Sequence, residues 1–266
     1  MKIGGELGYR CLRWLKPKRE SQEGAEPRFS YIQKIKNVVG SQGWESLRGK
    51  TILDFGCSSG DGCIEMAQHG ARNVIGLDIR SNLLDLAKAS AEKAGVSTRC
   101  TFSDSTKEQV DVVVSIDAFE HFDQPGEILR IMDRLLVVDG FVILSFGPTW
   151  YHPFGGHLFS IFPWSHLVFT ENALIRWRSD FKHDGATRFS EVAGGLNMMT
   201  IKRFEELVKQ SNFCIESFHT VPIRPLAWVH NSITREFTTS VVECKLVKRR
   251  VSDDSITDRR QCPNQH

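Results

Sequence analysis

At 266 residues, with 41% hydrophobic and 25% charged residues, the chain has an ordinary globular composition and room for one large domain or two small ones. No stretch reaches the ~18–20 uninterrupted apolar residues of a membrane-spanning helix, and 34 Lys+Arg against 32 Asp+Glu is too even a balance for a protein built to neutralise a phosphate backbone, which disfavours nucleic acid as a partner. Seven scattered cysteines without a CxxC pair read as thiols of a reducing compartment, and the basic start lacks the apolar run of a secretory signal, so a cytoplasmic location is expected.

Residues 1–26 mix Gly, Lys, Arg and Glu around Leu7, Leu12, Trp14 and Leu15 and read as a loosely attached arm. Its Leu, Trp and Lys residues suit either contact with a membrane surface, as in peripheral attachment, or a cover over the acceptor site. From Arg28 to Val39, the apolar residues Tyr31, Ile32, Ile35, Val38 and Val39 recur at helical spacing. Short apolar runs then alternate with helical segments. Strands are expected at Thr51 to Phe55, Asn73 to Ile79, Val110 to Ile116 and Gly140 to Phe146. A helix beginning at a Ser81 cap and ending at Gly95 separates two of these units, and the helix EILRIMDRLLV precedes the run GFVILSF. Repeated strand, helix, strand units predict a parallel sheet covered on both faces.

Residues 147–197 interrupt that alternation. This insert concentrates Trp150, Tyr151, Phe154, Phe159, Phe162, Trp164 and Phe169, a density that needs burial. It reads either as added core or a dimer contact, or as a lid over an apolar pocket. Arg176, Arg178, Lys182 and Arg188 are either a solvated face or partners for an acidic acceptor. Beyond the insert, Thr200 resembles a helix cap, and strands are expected near Phe213 to Val221 and Phe237 to Leu246. The domain therefore spans 27–246, and the polar residues 247–266 read as a disordered tail.

The stretch LDFGCSSGDG, Leu53 to Gly62, joins a buried strand to a helix. Its glycines at 56, 60 and 62 permit a sharp turn and close approach of a ligand. Asp78 ends the next strand, where a carboxylate can accept from both hydroxyls of a ribose. The glycine intervals are not the G-x-G-x-x-G of a nicotinamide site, and no Gly-Lys-Ser/Thr follows them as in an ATP-binding P-loop.

The order Asp54, Gly56, Gly60, Asp78, followed by SIDAFEHFDQPGEILRIMDRLLVVDGFVILS, resembles the class I S-adenosylmethionine-dependent methyltransferases, in the group acting on small molecules, lipids and quinone precursors. Ser58 stands where that family most often has its middle glycine, and the resemblance runs from about Lys50 to Phe146. It implies an α/β fold, a Rossmann-like, mostly parallel seven-stranded sheet with helices on both faces and the aromatic insert after the fifth strand. It implies S-adenosyl-L-methionine as cofactor, with Asp54 facing the methionine portion and Gly56 and Gly60 bordering it. Asp78 would hold the ribose, Ile79 flank adenine, Asp104 approach the adenine amino group, and Asp117 stand beside the methionine moiety. Glu120 and His121 match a Glu-His pair frequent in the group.

Methyl transfer from a sulfonium is an in-line displacement whose chemistry the cofactor carries, leaving the protein to position, exclude water and remove a proton. His121, and after it His157, are the candidate bases, because an unperturbed imidazole pKa of ~6.5 leaves the ring largely neutral at pH 7. No acidic helix motif or cysteine pair accompanies the histidines, so no metal is expected. The expected acceptor is a small molecule or lipid-like compound methylated on oxygen, and the sequence carries no signal for an oligomeric state. An NAD-dependent oxidoreductase and a non-catalytic module that keeps the fold are the competing readings.

Overall fold

The computed structural model describes residues 2–15, 30–192 and 195–249. Seven strands, β1 (Thr51–Phe55), β2 (Asn73–Leu77), β3 (Cys100–Ser103), β4 (Val110–Ile116), β5 (Leu136–Phe146), β6 (Phe213–Pro222) and β7 (Thr239–Lys248), form one sheet in the order β3-β2-β1-β4-β5-β7-β6. Strands β1 to β5 run parallel, and β7 is antiparallel to both of its neighbours. The helices described are α1 (Gly5–Leu15), α2 (Tyr31–Glu45), α3 (Asp61–His69), α4 (Ser81–Lys93), α5 (Pro125–Leu135), α6 (Ser165–Val168), α7 (Glu171–Ser179), α8 (Ile201–Gln210) and α9 (Arg235–Thr238). This is the mostly parallel α/β sheet expected from the sequence.

Side chains leave a strand alternately on its two faces, so each central strand feeds two cores. Ile52, Val112, Val114 and Ile143 pack with Ile35 and Val38 of α2, Met66 of α3 and Leu84 of α4. Leu53, Val113, Val142 and Leu144 pack with Leu129 and Met132 of α5 and Phe204 and Val208 of α8. Burial on both faces is why β1, β4 and β5 are nearly unbroken apolar runs.

The element boundaries differ from expectation where tertiary contacts intervene. Helix α5 stops at Leu135 because Leu136 turns extended and pairs with Val110 of β4, so the residues read as the helix end begin β5. Ser81 is the first residue of α4 rather than its cap; Arg80 precedes the helix without a side-chain cap bond, and its own amide donates to Asp78. Thr200 does cap α8, accepting from the Arg203 amide at 3.1 Å. Residues 235–238 form α9, so β7 starts two residues after the expected Phe237.

A loosely attached arm is not what residues 2–15 form. Leu12 of α1 is fully buried with Leu174 and Trp177 of α7, and Ile3 exchanges backbone hydrogen bonds with Val168 and Thr170. The helix has a stripe to bury, and the insert supplies the matching apolar surface. Residues 16–29 and the expected tail from 250 onward lie outside the described residues, whereas 247 and 248 belong to β7. Cysteines 11, 57, 63, 100 and 244 are free, but Cys214 is disulfide-bonded. Its pairing is spatial, which sequence spacing cannot show. Among the described residues, no helix is long and apolar enough to cross a membrane.

Candidate functional site

Strands β2, β1 and β4 are neighbours, which brings Asp54, Asp78 and Asp117 to one edge of the sheet around the loop from Gly56 to Gly62. The loop turns through left-handed backbone at Gly56 (φ 91°), Ser58 (φ 49°) and Gly60 (φ 82°), a region that favours glycine. A Cβ on Gly56 would stand 2.7 Å from the Ala118 Cβ, and one on Gly60 would stand 2.8 Å from the Ala87 Cβ. The fold itself therefore requires these glycines, in addition to any ligand.

The carboxylates differ in what they meet. Asp54 is 1% exposed; Tyr31 donates to its Oδ1 at 2.5 Å and Cys63 to its Oδ2 at 3.4 Å. Burial pushes its pKa up to about 6 against the lowering effect of those bonds. The Tyr31 ring lies against Gly62, so its hydroxyl ties Asp54 to α2 beside the glycine loop. Asp117, at φ 52°, pairs with Lys34. Tyr31 and Lys34, three residues apart, extend from the same face of α2. Helical spacing of apolar residues in this segment gives no sign of either contact.

Asp78 accepts from the Ser58 amide at 3.0 Å and from the Arg80 amide and Nε, each at 2.9 Å, and an Arg80 Nη completes the set at 2.8 Å. Burial alone would raise this carboxyl, but the Arg80 and Ser58 donors outweigh it and hold the pKa below the usual carboxylate range. Ile79, between Asp78 and Arg80, is 92% exposed. Asp104 lies beyond β3 with a single short-range bond from the Ser105 hydroxyl.

Across the sheet edge, Phe119–His121 forms a 3₁₀ turn after β4. The His121 Nδ1 lies 3.0 Å from the Gly195 carbonyl; a carbonyl only accepts, so Nδ1 carries a proton. The ring meets the edge of His157 with centroids 5.2 Å apart, which places the insert against the Glu-His turn. His157 bonds the Pro148 carbonyl, and burial lowers its pKa to about 4. Within the insert, Trp150, Phe159 and Phe169 pack with α1 and α7, so these aromatics form core. Arg178 is 3% exposed and bound to Asp184 at 2.5 and 2.7 Å, while Arg176 pairs with Glu6. Arg178 thus braces the insert internally and Arg176 ties it to α1, roles that favour neither the solvated-face nor the acceptor reading for these two side chains.

Glu120 is buried, accepting from the Gly147 amide at 3.0 Å through Oε1, while Oε2 has no partner among the described residues. Burial pushes its pKa up to about 8. Between the unfolded value of ~4.3 and 8, the folded chain holds a proton that the unfolded chain has lost, so this carboxyl's contribution to stability falls as pH rises through that window. Glu120→Gln removes the titration. The melting temperature of the variant should therefore gain on that of the parent between pH 5 and pH 8; a difference unchanged with pH would contradict the shift.

Among the described residues, no group of three or more His, Cys, Asp or Glu side chains is placed to hold a metal ion. Residues 53–144 match a family model described as a methyltransferase domain. A ubiquinone biosynthesis O-methyltransferase of Actinobacillus pleuropneumoniae is 32% identical over 128 residues, which cover 44% of this chain and 51% of that protein. The chain spans about half the length of the curated relatives it matches. A Listeria monocytogenes structure assigned to the S-adenosylmethionine-dependent methyltransferases aligns with a TM-score of 0.53 at 17% identity, over 83% of this chain and 98% of that one. Geranyl diphosphate methyltransferase in complex with SAM aligns with a TM-score of 0.53 at 12% identity, over 82% and 84%. Likeness at these identities establishes the fold.

Proposed function

We propose that this chain, built around a class I S-adenosylmethionine-dependent methyltransferase domain at residues 53–144, methylates a hydroxyl of a small-molecule or lipid-like acceptor. The observation that carries the reading is the placement of Asp54, Asp78 and Asp117 at the ends of three adjacent strands around a loop of left-handed backbone. Of these, Asp78 suits the ribose hydroxyls and Asp117 the ammonium of the cofactor, while Asp54 backs the site through its bond to Tyr31. Ile79, apolar and 92% exposed, offers a flat contact for adenine, with Asp104 beyond it. When bound, S-adenosylmethionine supplies a methyl group on a sulfonium, which an oxygen nucleophile takes in line.

The chain's own residues do the rest. His121, its Nδ1 proton held by the Gly195 carbonyl, takes the acceptor's hydroxyl proton at Nε2. His157 stays neutral and braces the His121 ring from the insert. The insert excludes water from the acceptor side. O-methylation of a small molecule agrees with the name of the relative that shares 128 aligned residues. Leu7 and Trp14, 68% and 83% exposed on α1, suit a lipid-like acceptor's membrane surface.

Isothermal titration of the full chain with S-adenosylmethionine and with NAD tests the reading. Binding of the first and not the second is expected, and Asp78→Ala should weaken it by roughly 10- to 150-fold, the worth of charge-assisted hydrogen bonds. Tight NAD binding without S-adenosylmethionine binding would establish the oxidoreductase alternative. Cofactor binding without turnover of any hydroxylated acceptor would favour the non-catalytic module.

A further inference from the structure

An ionised carboxylate offers about four lone-pair positions in two oxygens. Asp78 has four donors on them: the amides of Ser58 and Arg80, and the Nε and one Nη of the Arg80 side chain. The two amides belong to the loop and to the start of α4, and they stay wherever the backbone stays. The two guanidinium donors sit on a side chain that is 48% exposed and joins the carboxylate in the parallel, two-pronged geometry that arginine forms with acids. A ribose also brings two donors, its vicinal hydroxyls. The carboxylate has no capacity for both sets.

We propose that Arg80 is an internal competitor for the ribose-binding carboxylate, so that the cofactor binds by exchange: two guanidinium donors leave Asp78 and two ribose hydroxyls replace them. Arg80 thereby sets the affinity for the nucleoside half of the cofactor. The inference rests on the proposed cofactor reading and goes beyond it, since it assigns a function to a residue that neither contacts the reacting atoms nor belongs to the glycine loop. The geometry gives the exchange a direction. The Arg80 side chain is 48% exposed, so the guanidinium can swing into solvent, where water replaces the carboxylate as its partner. A half-exposed ion pair is worth modest free energy, which makes it displaceable and yet large enough to register in a binding constant.

The test is titration calorimetry on the full chain with two ligands that share the ribose: S-adenosylhomocysteine, which has the amino-acid end, and 5′-methylthioadenosine, which lacks it. Arg80→Ser should tighten both by a similar factor of roughly 1.5 to 5, the range that an exposed ion pair supplies. Arg80→Lys, a single charged prong, should fall between the serine variant and the parent. Adding Asp78→Ala to Arg80→Ser should remove the gain, because the competition runs through that carboxylate. Parent protein that binds both ligands while Arg80→Ser binds them equally or more weakly overturns the competition alone. Parent protein that binds neither ligand overturns the cofactor reading and the competition with it. A gain confined to S-adenosylhomocysteine also overturns it, since that would place the effect of Arg80 at the amino-acid end.

Discussion

His121→Ala should lower the turnover number by roughly 10²- to 10⁴-fold, the usual worth of a positioned general base, while the dissociation constant for S-adenosylhomocysteine should stay within about a factor of two of the parent's. The separation follows from the architecture. The carboxylates assigned to the cofactor end β1, β2 and β4 or follow them directly, whereas His121 is held from the other side by the Gly195 carbonyl and the edge of His157. Removing the imidazole takes away the Nε2 lone pair without touching Asp78 or the glycine loop. The assay is transfer of labelled methyl from S-adenosylmethionine to hydroxylated small molecules, followed alongside calorimetry. A variant that keeps full turnover would show that the acceptor loses its proton to solvent and would reduce His121 to a brace between β4 and the insert. Equal losses of turnover and cofactor affinity would point to collapse of the turn after β4.

Gly60→Val should lower stability by roughly 2–5 kcal/mol, the sum of forcing a branched residue into left-handed backbone and overpacking a filled site. Gly60 sits at φ 82° immediately before α3, and its missing Cβ would lie 2.8 Å from the Ala87 Cβ and 2.9 Å from the Phe102 ring. Both neighbours are buried in the core on that face of the sheet, so neither can retreat into solvent. Gly95→Ala is the matched control. Gly95 has a similar backbone, φ 69°, but no atom within 4 Å of its Cβ position, so it should cost only about 1–2 kcal/mol. Thermal denaturation of both variants decides the matter. Equal losses would mean that backbone strain explains Gly60 and that its packing against Ala87 and Phe102 is slack.

Elements whose cause is local or periodic are legible in the residue order alone. β1 and β4 have the bounds that their apolar runs indicate, because burial on both faces of a parallel sheet demands such runs. Glycines 56 and 60, together with the acid beyond β2, marked the loop because backbone handedness and strand ends leave signatures in residue type. Only the tertiary structure decided which side chains those acids meet. Tyr31 lies 23 positions from Asp54 and Lys34 lies 83 positions from Asp117, and no spacing rule links them. Arg80 is two positions from Asp78, near enough to have been noticed. Its two-pronged hold, however, depends on how the chain turns between β2 and α4. The same limit explains the amino-terminal arm. α1 shows an apolar stripe in its sequence, but it is the complementary surface of the insert and α7, brought to it by folding, that turns Leu12 from an exposed residue of an arm into a fully buried one. Hydrophobic periodicity says which face of an element must be covered; what covers it is settled by the packing of segments distant in the chain.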